Sequence, residues 1–308
     1  MSAVASLEVR GLAKTFREGW RGKRSIKAVD GVDLDLKPGE VYGFLGPNGA
    51  GKSTFLYCAL NLLRPSAGSV RLLGEAMHPG LMRRIGFVPE ECSLHQAFTG
   101  RRLLTDYGRL HGMTREAAGA RAVQLLEQLE LGDAADRKIA RYSKGMRQRL
   151  SVAQALLHDP DLIFLDEPTR GLDPVGVRIL RDLIRDLAAA GKTVFFNSHV
   201  LSEVEMVATR VGILIGGRLK WEGRPLDIPG AGDRHAVIFR LPPGGTLEGF
   251  APKPLAEGEP IHSVTTATQE ELFRCIEALR NAGGALLEVT RLRLLEDFFI
   301  ELVDRHDA

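Results

Sequence analysis

Cysteine is scarce in this sequence, with only Cys58, Cys92 and Cys275 among 308 residues. They are far apart and show no CxxC pair or other metal-type spacing, so they read as scattered buried thiols. That excludes a disulfide framework and a cysteine-based metal centre, and it fits a reducing cytoplasm. An excess of charge of one sign is missing as well. Lys and Arg number 41 against 39 Asp and Glu, a balance of +2, so bulk charge gives no argument for nucleic acid or an anionic membrane as the main partner. No stretch approaches the roughly 18 to 20 uninterrupted apolar residues of a membrane span. The first residues, MSAVASLEVRGLAK, have their apolar stretch broken by Glu8 and Arg10, which argues against a signal peptide. Repeats and low-complexity tracts are also lacking.

What is present is a chain 44% hydrophobic, enough for one large packed domain and a smaller one. LEVRGL and GVDLDL alternate apolar and polar residues as half-buried strands do, and Pro38-Gly39 turns the chain into the apolar run VYGFL. Residues 52 to 63 read as a helix stopped by Arg64-Pro65, followed by the strands SVRLL and GFVP with a helical LMRRI between them. From Thr99 to Leu131 the periodicity is helical only. Strand and helix alternate again in LIFLDEP, VGVRILRDLIRDLAAA and TVFFNS, and VGILIGGRLKWEG reads as a hairpin turning at Gly216-Gly217. The expectation is an α/β core carrying a helical subdomain. RPLDIPGAGDR reads as a linker, and the segments beyond it as strand, strand, helix, strand, helix, a small α/β domain of their own.

The chemistry concentrates in GPNGAGKST, Gly46 to Thr54. Gly46-x4-Gly51-Lys52-Ser53 between a strand and a helix is the pattern of a phosphate-binding loop. Successive backbone N–H groups can all face a polyphosphate only where side chains do not intrude, and the following helix adds its positive N-terminal end. Lys52 would reach the terminal phosphates, Ser53 would offer its hydroxyl to magnesium, and Thr54 would touch another phosphate. LIFLDEP puts Asp166 and Glu167 at a strand end, where Asp166 can hold the magnesium water shell and Glu167 can polarise an attacking water. GLDP adds Asp173 at a turn before a helix. His199 follows the strand TVFF, and residues just past parallel strand ends converge on one edge, where a ligand lies.

The series GPNGAGKST, IGFVPE, YSKGMRQRLSVAQAL, LIFLDEP, GLDP and NSH resembles the nucleotide-binding subunit of an ABC transporter over about residues 7 to 222. The resemblance implies a P-loop NTPase core with N-terminal antiparallel β strands and a helical subdomain near 92 to 158; the linker read above spans 223 to 232 and the small α/β domain 233 to 308. It also implies ATP and Mg2+ as cofactors, with Gly46, Pro47, Asn48, Gly49, Ala50, Gly51, Lys52, Ser53 and Thr54 on the phosphates and Asp173 in the nucleotide-binding set. Ser53, Asp166 and Glu90 would serve the metal, Glu90 standing where the family commonly has glutamine. Glu167 would be the general base and His199 the γ-phosphate switch, with Lys52 beside them. Phe16 matches the aromatic that stacks on adenine, with Trp20 as its rival. YSKGM resembles the family signature: Ser143 and Gly145 are retained, and they would close over a nucleotide held by a second subunit. The tail LEVTRLRLLEDFFIEL resembles the closing segment of bacterial multidrug and polyketide-antibiotic exporter ATPases. The expected protein is a cytoplasmic ATPase, peripheral on the inner face of the membrane, that dimerises on ATP and drives a separate permease for export, with no nucleic acid partner. A soluble ABC-type ATPase acting on ribosomes or DNA is the alternative, although such chains usually carry two cassettes or a long coiled coil and this one shows neither. The basic loop Arg17 to Lys27 reads as a solvated hairpin tip.

Overall fold

VYGFL, apolar or small at every position, forms β3 (Val41–Leu45) and is buried along its whole length. The apolar runs at β6 (Leu162–Asp166) and β7 (Thr193–Ser198) are buried in the same way, as strands of a parallel sheet covered on both faces must be. The computed structural model describes residues 4–18, 24–228, 235–242, 244–255, 260–291 and 294–307. The chain divides into two compact units, Met1–Pro225 and Leu226–Ala308.

In the first unit, β5 (Ile85–Val88), β6, β7, β3, β8 (Arg210–Ile215) and β9 (Arg218–Gly223) form one sheet in that order. All neighbours run parallel except the β8–β9 hairpin. A second, antiparallel sheet has the order β2 (Arg24–Leu36), β1 (Leu7–Glu18), β4 (Ala67–Leu72). Between the sheets runs α1 (Lys52–Ala59), and its Phe55 and Leu56 belong to a core cluster that draws Leu7, Val9 and Leu34 from one sheet and Phe44, Phe164 and Phe195 from the other. Phe195 is the hub of that cluster, its ring centroid 5.4 to 5.8 Å from those of Tyr42, Phe44, Phe55 and Phe164.

The helix expected over residues 52 to 63 ends at Ala59, because Asn61 turns left-handed at φ 56°, a conformation asparagine tolerates just past a helix end. The helical LMRRI is one 3-10 turn, Leu81–Arg84. The all-helical stretch comprises α2 (Gly100–Leu110) and α3 (Arg115–Gln128), capped by the hydroxyls of Thr99 and Thr114. These pack with α4 (Lys144–Leu156). Next come α5 (Pro174–Ala189) and a short α6 (Leu201–Val207) that the apolar pattern did not announce. The tip of the basic loop, residues 19–23 with Trp20, lies outside the described residues.

In the second unit, β10 (His235–Arg240), the two-residue β11 (Lys253–Pro254), β12 (Ile261–Thr266) and β13 (Ala285–Arg291) form an antiparallel sheet ordered β11, β12, β10, β13. One face packs on α7 (Gln269–Asn281) through Val237, Phe239, Val264, Leu272, Cys275 and Leu279. Thr268 caps α7, and α8 (Leu294–Asp307) follows β13.

Since Phe195 joins α1 to the parallel sheet, Phe195→Ala is expected to destabilise the first unit by about 3–5 kcal/mol, read as a lower urea midpoint by circular dichroism.

Candidate functional site

The loop after β3 is shaped by main chain passing close to main chain. A Cβ at Gly46 would lie 2.3 Å from the carbonyl oxygen of Leu214, and one at Gly51 would lie 1.9 Å from that of Ala28, where φ is also +104°. Only glycine fits either position. The hairpin tip between β8 and β9, left-handed at Gly216 and Gly217, braces the loop from below. There the Gly217 N–H donates to Ala50 O at 3.0 Å and the Asp30 N–H to Gly217 O at 2.8 Å. No side chain caps α1 at its N-cap residue Gly51, so its first-turn N–H groups, which have no intrahelical partners, are left for a ligand.

These amides border a cavity of about 500 Å³ lined by Ala28, Asn48 to Thr54, Glu90, Glu167, Arg170 and His199. Parallel strand order brings them together, because β5, β6, β7 and β3 are successive neighbours and the loops leaving their C-terminal ends carry Glu90, Glu167, His199 and the glycine-rich segment. Lys52 is 7% exposed. Its Nζ donates to the carbonyls of Gly46 at 2.6 Å and Pro47 at 3.3 Å and lies 3.8 Å from Glu167. Burial lowers the Lys52 pKa from its ordinary value, opposed by the charges of Glu167 and Asp166.

Asp166 is wholly buried behind Ser53. Its Oδ1 accepts from Asn197 Nδ2 at 2.8 Å and from Ser53 Oγ at 3.2 Å, while its Oδ2 is buried with no hydrogen-bond partner. Glu167, 7% exposed, has a left-handed backbone at φ 48°, an uncommon conformation for a non-glycine residue and one concentrated at functional sites. His199 Nδ1 meets Glu167 Oε2 at 2.6 Å. An ionised carboxylate only accepts, so the proton of that bond sits on Nδ1 and leaves Nε2 facing elsewhere.

Of the residues singled out from the sequence, Gly46, Pro47 and Asp166 lie just behind the lining, bonded to Lys52 or Ser53, and four others do not border the cavity. Phe16, at the end of β1, is 37% exposed, with Lys14 Nζ 5.2 Å from its ring centroid. Ser143 is exposed and caps α4 by accepting from the Met146 N–H. Gly145 packs towards Leu172. Asp173 caps α5 by accepting from the Gly176 N–H at 2.8 Å. Conversely, Ala28, Asn197 and Arg170 belong to the site without having been singled out. Arg170 is the one that a charge argument finds, being the lone cation in DEPTRGLDP. Its guanidinium forms an ion pair with Glu90.

Comparison with known proteins settles the family. The profile described as ABC transporter matches residues 29–170. An uncharacterized ABC transporter ATP-binding protein of Nostoc sp. (strain PCC 7120) is 36% identical over 301 residues, spanning 96% of this chain and 89% of the relative. The chain belongs to the ABC transporter ATP-binding proteins. The daunorubicin/doxorubicin resistance ATP-binding protein DrrA of Streptomyces peucetius is 40% identical over 77% of this chain and 70% of its own length. The Nod factor export ATP-binding protein I of Paraburkholderia xenovorans is 36% identical over 98% of each chain. Among solved structures, a dimeric bacterial ABC transporter cassette superposes with a TM-score of 0.66 at 28% identity, covering 71% of this chain and 98% of its own. A post-hydrolysis state of such a cassette, dimeric and bound to ADP and Pi, gives 0.64 at 27% identity over 71% and 98%. This ABC protein binds ATP and hydrolyses it.

In this ATPase the Asp166 carboxyl is held above its ordinary value, chiefly by burial, against the lowering effect of the bonds from Asn197 and Ser53 and with the Glu167 charge adding to the rise. A carboxyl whose pKa rises on folding binds its proton more tightly in the folded state. Stability therefore falls as pH climbs from the ordinary carboxylate range through the raised value, and at neutral pH the charge is a cost. Asp166→Asn is expected to raise the thermal unfolding temperature at pH 7, measured by calorimetric melts.

Proposed function

We propose that this ATPase dimerises around two ATP molecules and powers a separate transmembrane permease, working as an exporter. The observation that carries the reading is the bond between Glu167 and His199 facing Lys52 across the amide-lined cavity. Asn48 to Thr54 take the triphosphate, and Lys52 exchanges the carbonyls of Gly46 and Pro47 for phosphate oxygens. Glu167 accepts a proton from the attacking water. Its bond to His199 Nδ1 orients the carboxylate, and a doubly protonated His199 would donate from Nε2 to a γ-phosphate oxygen. The orphaned buried Oδ2 of Asp166 and the neighbouring Ser53 hydroxyl are an oxygen donor set that suits Mg2+. The ion would supply charge neutralisation at the phosphate oxygens. Glu90 stands across the cavity, engaged by Arg170, and Phe16 is an exposed ring on which adenine can stack.

Ser143 heads α4 with an exposed hydroxyl but does not border the cavity of its own chain. A second copy is what brings such a helix N-terminus onto the phosphates, with Gly145 and Asp173 near the joint. Two of the similar solved structures are dimeric. Among the described residues no helix is long and apolar enough to cross a membrane; the membrane-crossing part is assigned to the permease. Export is supported by relatives named for drug resistance and for Nod factor export.

Glu167→Gln keeps the shape and removes the base. It is expected to cut turnover by about 10²- to 10⁴-fold and to accumulate an ATP-loaded dimer on size-exclusion chromatography. Parental turnover in that variant contradicts the assignment of the base.

A further inference from the structure

Charge in the nucleotide cavity is balanced narrowly. Its lining holds two carboxylates, Glu90 and Glu167, against two cations, Lys52 and Arg170, and Asp166 adds a further buried carboxyl behind Ser53. A triphosphate brings several more negative charges to the same space. Lys52 is already shared between Glu167 and the loop carbonyls. Glu90 is therefore the acid whose charge has to be offset by something else.

Arg170 is placed to do this. Its backbone is held in the turn after β6 by its own N–H donating to Glu167 O at 3.1 Å and by the Leu172 N–H donating to Thr169 O at 3.0 Å. The preceding Thr169 hydroxyl is tied to Glu203 of α6. From this fixed base the guanidinium crosses to the loop after β5 and pairs with Glu90. The two residues form the wall between the nucleotide cavity and an adjoining one of about 330 Å³ that Lys144 and Arg147 also line. Arg147 donates to the Tyr142 carbonyl and Lys144 lies along Gly171; among the described residues, Arg170 is the cation that pairs with Glu90.

We infer that Arg170 is a positioning residue for nucleotide binding that acts through Glu90: it neutralises and orients that carboxylate so that a triphosphate can share the cavity with it. The inference rests on the cavity being the ATP site. The side chains of Arg170 and Glu90 are 53% and 30% exposed, so solvent and salt screen the pair and its effect is moderate and ionic-strength dependent.

The test measures Mg-ATP affinity, by titration with a fluorescent ATP analogue and by KM against kcat, for the full chain and for Arg170→Ala, Glu90→Gln and the double variant. Arg170→Ala leaves Glu90 unopposed and is expected to weaken affinity about five- to tenfold at low salt, mainly in KM, with the loss shrinking in 0.5 M salt. Removing the Glu90 charge makes the arginine dispensable, so the double variant should bind within about twofold of Glu90→Gln alone. Full affinity in Arg170→Ala overturns the inference. A double variant as weak as Arg170→Ala also overturns it, since Arg170 would then act on the nucleotide directly. A parent chain with no affinity for Mg-ATP instead removes the ATP assignment of the cavity, and the pairing falls with it.

Discussion

The contact on which the site depends is the approach of bare main chain to main chain beneath the loop after β3. At Gly46 and Gly51 the backbone comes so close to Leu214 and Ala28 that a methyl group has no room. The β8–β9 turn holds the loop there through Ala50. This closeness opens α1 towards the cavity without a side-chain cap and seats Lys52 against Gly46 and Pro47. The uncapped amides and a buried ammonium make a concentrated positive surface, which the three nearby acids Asp166, Glu167 and Glu90 would cancel were they not held separately. Asn197 and Ser53 hold Asp166, His199 holds Glu167, and Arg170 holds Glu90.

The fold carries this arrangement through strand order. Four parallel strands deliver their C-terminal loops to one edge, and the aromatic cluster around Phe195 keeps α1 in fixed relation to them. The turn after β6 is the most constrained part. Glu167 is left-handed there, and the next three residues are tied on two sides, through Thr169 to α6 and through Arg170 to the loop after β5. The turn thus touches both α6 and the loop that precedes the helical subdomain.

Much of the fold class was legible because it depends on local pattern. Continuous apolar runs identify β3, β6 and β7, and paired glycines identify the β8–β9 turn. A glycine-rich stretch between strand and helix identifies the phosphate loop. What was not legible depends on contacts distant in sequence or on single backbone angles. The end of α1 is set by the φ of Asn61, and β11 has only two residues, too few for a periodic signal. Asn197 and Arg170 join the site only once the sheet has assembled, since their partners Asp166 and Glu90 lie 31 and 80 positions away in a chain whose local pattern says nothing of them. Ser143, Gly145, Asp173 and Phe16 sit off the cavity of a single chain, and their part in the chemistry is a question about two chains and a nucleotide.

The account stands or falls on whether those amides and Lys52 hold a triphosphate. Equilibrium dialysis of ATP, with and without magnesium, compares the parent chain with Lys52→Ala. The account predicts a magnesium-dependent affinity in the parent that drops about a hundredfold in the variant, as loss of a buried charge-assisted contact requires. Equal affinity in the two proteins would contradict it.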